Sequence, residues 1–232
     1  MRGCARARAA IVATAILGLG SEARAQVVAA EPGARLEVEG GVGVLEGGSL
    51  GTGDANLRPS RQTGQPFRLF TASSRFERAR AFHVRAAYAL TRRFGVESRL
   101  TIAHPDIRTT ITADAESAPR TVGTERIDAY LVDAGLVMML YRFGIARRAV
   151  PFVSGGAGYL RQLHEGQTVI EQGQVYYAGG GIKSWLTVRD HGLIRAAGLR
   201  ADVRMNLLRG GISFGESPRP QLAVSGGVFV GF

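Results

Sequence analysis

The chain has 232 residues, a formal net charge of +10 and a single cysteine. That length suits one domain, and one cysteine excludes both an internal disulfide framework and a thiolate metal centre. The arginines are scattered singly, with no basic helix or aromatic-interleaved patch, which argues against nucleic acid as a partner.

In chain order, the first element is a processing segment. Arg2, Arg6 and Arg8 precede an apolar run from Ala9 to Gly20, and Ala23-Arg24-Ala25 has the small-x-small form of a cleavage site. Residues 1–25 therefore read as a secretory signal cut before Gln26, too short in its apolar part to anchor as a helix. Cys4 leaves with it, as do four arginines and one glutamate, so the net charge falls from +10 to +7. Residues 26–33 form a short N-terminal segment, and residues 34–232 the folded domain.

No later stretch is apolar for long enough to span a membrane as a helix, but segments of about ten alternating residues recur, as barrel strands require. Leu36, Val38, Gly40, Val42 and Val44 alternate with Arg35, Glu37, Glu39, Gly41 and Gly43. Phe82, Val84, Ala86, Tyr88 and Leu90 oppose His83 and Arg85, and Thr91-Arg92-Arg93 turns into a third strand with Phe94, Val96, Ser98, Leu100 and Ile102 against Glu97, Arg99 and Thr101. A fourth sets Tyr130, Val132, Ala134, Leu136 and Met138 against Asp133. A fifth, residues 150–163, opens on Pro151 and has no evident facing, while a sixth, 174–186, carries Tyr176, Ile182 and Leu186 against Lys183. In the seventh, Leu199, Ala201, Val203, Met205 and Leu207 oppose Arg200, Asp202, Arg204 and Asn206.

The eighth strand closes the chain, with Leu222, Val224, Val228, Val230 and Phe232 on one face and Gln221, Ala223, Ser225, Gly227 and Gly231 on the other. Connections after the second, fourth and sixth strands are short and the others long, led by 46–77. Short turns on one side and long loops on the other are the rhythm of a membrane barrel. The expected fold class is all-β: a closed eight-stranded antiparallel up-and-down transmembrane β-barrel. Interfacial aromatic girdles are expected from Phe94, Tyr141, Phe143, Phe152, Trp185 and Phe232 at one level and from Phe76, Phe82, Tyr130, Tyr159 and Tyr176 at the other.

The last residues resemble the C-terminal assembly signal of outer-membrane barrels, on Ser225, Gly227, Val230 and Phe232. With SGGVFVGF at the end, PFVSGGAGY at 151–159 and YYAGGGIKSWL at 176–186, residues 34–232 resemble the small outer-membrane β-barrel family of OmpA/OmpX type. The resemblance implies the outer membrane of a Gram-negative bacterium, a monomer, the barrel-assembly machinery as a partner of the last strand, and lipid and lipopolysaccharide as surroundings. It implies no cofactor and no cell-wall anchor.

An eight-stranded barrel has room inside for side chains and little else. The inward parity assigns Glu37, Glu39, Arg85, Glu97, Arg99, Asp133, Lys183, Arg200, Asp202 and Arg204 to the lumen, where unpaired charges are costly and a compensating network is expected. The function expected is structural or surface-interacting, without catalysis and without a metal site. A narrow porin-like solute or ion pore, a lipid-modifying hydrolase and a soluble lipocalin-like binding barrel are the competing classes. The histidines do not support a hydrolase: His83 is inward, His104, His164 and His191 lie at strand ends or in turns, and no serine stands two residues from any of them. The loop 46–77, with its glycines and Arg58, Arg61, Arg68, Arg75 and Arg78, reads as a solvated loop or as a surface for lipopolysaccharide phosphates, and Phe67 to Phe76 as a strand extending above the membrane.

Overall fold

A computed structural model describes residues 34–57, 67–112, 121–144, 149–164, 169–189, 191–212 and 217–232. Residues 1–25, expected as a signal segment, and residues 26–33 lie outside the described residues. Eleven strands are present among them: β1 Leu36–Leu45, β2 Ser49–Leu57, β3 Phe67–Phe76, β4 Ala79–Ala89, β5 Phe94–Ala103, β6 Asp106–Thr112, β7 Thr121–Met139, β8 Ala149–His164, β9 Ile170–Val188, β10 Ala196–Gly210 and β11 Arg219–Gly231. Among the described residues no helix is long and apolar enough to cross a membrane.

Eight strands close on themselves. The antiparallel ladder runs β1-β4-β5-β7-β8-β9-β10-β11 and returns to β1, because β7 pairs with β8 and β11 pairs with β1. Closure leaves no open edge in the barrel, the condition for a sheet to sit in a medium that cannot satisfy backbone groups. The first and last barrel strands are tied at this seam: the Arg35 amide donates to the Phe232 carbonyl at 3.0 Å and the Phe232 amide to the Leu36 carbonyl at 2.8 Å. Pro151 is tolerated because the β7–β8 ladder ends one residue away, at Met139 and Phe152, so its missing N–H is not required. A short 3-10 turn, Tyr141–Phe143, follows β7 at the short-turn rim, and Gly192, with a φ of +106°, takes the left-handed turn that leads toward β10.

Of the other three strands, β3 covers the stretch expected as a strand, Phe67–Phe76, while β2 revises the reading of 46–77 as a solvated loop and β6 had no counterpart in the sequence reading. At the long-loop rim, β2, β3 and β6 form a second sheet with the first third of β7. β7 runs through both sheets, pairing with β6 over Thr121–Arg126 and with β5 over Ala129–Met138. The upper sheet is seated on the barrel mouth by buried Leu50, Phe76, Ile107 and Ile127. Phe76, expected in an interfacial girdle, is thereby a packing residue of this junction.

Candidate functional site: a filled lumen inside a lipid-facing wall

The period-two alternation of each strand decides which side chains meet. The outward set is apolar and exposed: Val42 is 59% exposed, Phe82 61%, Leu136 59% and Val228 56%. The inward set is charged and hidden, with Arg85 at 1%, Glu97 at 3% and Arg204 at 2%. This is the reverse of a soluble barrel, whose apolar residues fill the interior, and the lipocalin-like alternative does not survive it.

All ten charged residues assigned to the lumen from parity lie inside the barrel. Five are carboxylates and five are cations, so the formal charges cancel. The Asp202 carboxylate is the centre of the cluster. Arg85 Nη2 donates to its Oδ2 at 2.7 Å and the Ser225 hydroxyl to its Oδ1 at 2.8 Å, while Arg99, Arg200 and Arg204 each approach it at 3.5 Å. Glu97 takes a bond from Arg200 Nη2 at 2.9 Å and one from Arg204 Nη2 at 2.6 Å. Arg204 also reaches Asp133 at 3.2 Å, and Arg85 reaches Glu39 at 2.8 Å. Lys183 pairs with Glu37 nearer the short-turn end.

Some members of this interior were not singled out from sequence. His83 has the inward parity and shares a hydrogen bond of 3.1 Å with Glu39. Ser225, expected only as part of an assembly signal, also binds Asp202. Phe152 and Trp185, expected in a lipid-facing girdle, point into the barrel instead and are 2% and 5% exposed. Arg200 lies 4.0 Å from the Phe152 ring centre, and Lys183 lies over both Trp185 and Phe229, at 5.2 and 4.4 Å. For Trp185 the signal was present, since it shares parity with Lys183 two residues before it.

Apolar groups lie toward both ends of the charged interior. Val150, Trp185, Ala196, Phe229 and Ala34 pack together toward the short-turn end, and Leu160, Val175 and Leu208, with Leu131 against them, toward the long-loop end. Inward glycines make room for the large groups: a Cβ at Gly41 would lie 2.5 Å from the His83 ring and one at Gly198 2.6 Å from the Phe229 ring. A closed eight-stranded wall with an apolar exterior and a charge-balanced, occupied interior decides the architecture.

The fold is that of a closed eight-stranded β-barrel with its apolar side chains outside and its charges inside. No family model and no curated protein matches the chain. Among solved structures the barrel is similar to the outer-membrane protein OprG of Pseudomonas aeruginosa, with 12% identity and a TM-score of 0.47 over 87% of this chain and 95% of that one. It is also similar to Ail, the attachment invasion locus protein of Yersinia pestis, with 12% identity and a TM-score of 0.39 over 85% of this chain and 97% of that one. The fold rests on the strand pairing and the inside-out polarity of the barrel itself. The described residues hold no group of three or more His, Cys, Asp or Glu side chains placed to bind a metal. At the long-loop rim, His104 and His164 are each occupied by a carboxylate, Asp128 at 2.7 Å and Glu125 at 2.6 Å.

Proposed function

We propose that this protein is an integral barrel of the bacterial outer membrane with a structural or surface-interaction role, monomeric and without catalysis. The observation that carries the reading is the inverted polarity: exposed Val, Leu and Phe side chains all round the wall, and a neutral ion-pair network enclosed by it. A lumen whose charges are mutually satisfied and flanked by apolar clusters supports a scaffold over a pore. The scaffold then presents the upper sheet to the outside. Residues 1–25 serve as the export signal, and Ser225, Gly227, Val230 and Phe232 as the feature read by the assembly machinery.

Cell fractionation combined with heat-modifiability tests this. The protein is expected in the outer-membrane fraction and to migrate at a different apparent mass before and after boiling. Recovery in the soluble periplasm with one mobility contradicts the reading. Phe232→Ala is expected to lower the amount of folded barrel in cells while leaving refolding in detergent intact, which separates recognition by the assembly machinery from barrel stability.

A further inference from the structure

The upper sheet has two faces of different chemistry. Its lumen-side face carries Phe76 and Ile107, which pack on Ile127 over the barrel mouth. Its outer face continues the lipid-side wall of the barrel upward. The register places Ser49, Arg75, Arg108 and Thr124 in one row across β2, β3, β6 and β7, and Thr52, Ser73, Thr110 and Val122 in the next. Asp54, Thr71 and Thr112 make a third, in which the Thr71 hydroxyl donates to Asp54 at 2.6 Å. The wall is therefore cationic at its foot and hydroxyl-rich above.

At that foot is a cavity of about 880 Å³ whose lining includes Arg75, Arg78, Arg108, Glu46, Glu77 and Gly48. Three guanidinium groups face two carboxylates. Arg78 holds Glu46 through two contacts of 3.2 Å, but Arg75 and Arg108 share the one Glu77, at 3.9 and 3.5 Å, both longer than a normal hydrogen bond. Two forked donor groups thus share one weak acceptor, and the cavity has a surplus of positive charge.

Height identifies the occupant. The last outward apolar residue of β1 is Val44, paired with Arg80 on β4, and Glu46 and Arg78 are each only two residues further along. At about 3.3 Å per residue, the cavity begins within roughly one headgroup thickness of the apolar belt, on the outside of the cylinder. A phosphate at that height meets guanidinium forks able to bind it bidentately, and sugars attached to it rise along the threonine and serine rows.

We infer that the outer wall of the upper sheet is a binding site for a phosphorylated glycolipid of the outer leaflet, of lipopolysaccharide type, with its phosphate between Arg75 and Arg108 and its saccharide along β2, β3 and β6. This rests on the outer-membrane reading above, because only there does the wall stand beside such a lipid.

The test uses the full barrel, refolded in neutral detergent and checked for its heat-dependent mobility, titrated with short-chain lipopolysaccharide by native mass spectrometry. Bound lipid is expected for the wild type, with affinity falling about tenfold or more in Arg75→Gln/Arg108→Gln. Ser49→Trp, which puts a bulky ring in the same outward row as Arg75 and Arg108, is expected to lose binding with the heat shift unchanged. Dephosphorylated lipopolysaccharide is expected to bind as weakly as the double variant. Equal binding by wild type and variants, or by both lipid forms, overturns the proposal, and so does displacement by equimolar inorganic phosphate, which assigns the cavity to free phosphate. Failure of the outer-membrane reading shows separately, as loss of the heat shift and of membrane fractionation.

Discussion

Asp202 shows what a single residue does in this interior. It accepts hydrogen bonds from Arg85 and Ser225 and lies within 3.5 Å of three more guanidinium groups. Removing it leaves buried positive charge uncompensated, which costs about 3–5 kcal/mol. Asp202→Ala is therefore expected to destabilise the barrel by that amount in urea unfolding followed by the heat-mobility shift. Glu46→Gln removes a carboxylate from an exposed pair with Arg78 and is expected to change stability by about 1 kcal/mol or less. Equal effects would place Asp202 in a solvated setting. The ten lumen charges were legible because a charged residue amid alternating apolar ones has one side of the wall available to it. Phe152 and Trp185 were not, because an aromatic ring suits both a lipid interface and a filled interior, and only packing on Arg200, Lys183 and Phe229 separates the two.

At the scale of elements, the eight barrel strands were readable from one-sided apolar alternation, to within a few residues at most ends. β2 and β6 were not. Much of the upper sheet is solvated on both faces, so its strands carry glycine, threonine and serine where a barrel strand alternates valine with charge, and the pairing of β2 shifts register between Ser49 and Gly51. β7 was seen only from Tyr130 for the same reason, since residues before Ile127 serve the upper sheet. The hairpin of β2 and β3 leaves the barrel from adjacent points, because Leu45 pairs with Ala79. Replacing residues 48–75 by a four-residue turn is therefore expected to preserve the heat shift and outer-membrane recovery while raising protease sensitivity around β6, which loses its partner β3. Loss of the folded barrel in that variant would mean that the upper sheet is required for closure.

For the whole molecule, closure and polarity depend on each other. β11 pairs with β1 on one side and β10 on the other, so the ladder has no free edge, and the side chains then have only two destinations, the outside of the wall or the interior. Charges sent inward must neutralise one another, and the five carboxylates and five cations do so. The same closure sets the upper sheet on the rim, where Phe76 and Ile107 pack over the mouth on one face and the row of Arg75 and Arg108 lies on the other. Stability of the barrel and the surface it presents are thus consequences of one arrangement.

That arrangement is tested most directly along β4. Cys4 is the one cysteine of the chain, so in protein prepared as residues 26–232 single cysteines at positions 82 to 88 can be spin-labelled one at a time in lipid vesicles. Accessibility to apolar oxygen is expected to be high at Phe82, Val84, Ala86 and Tyr88 and low at His83, Arg85 and Ala87, a strict period of two. The opposite phase, or uniform accessibility along the strand, would contradict a wall with its apolar side chains in lipid and its charges enclosed.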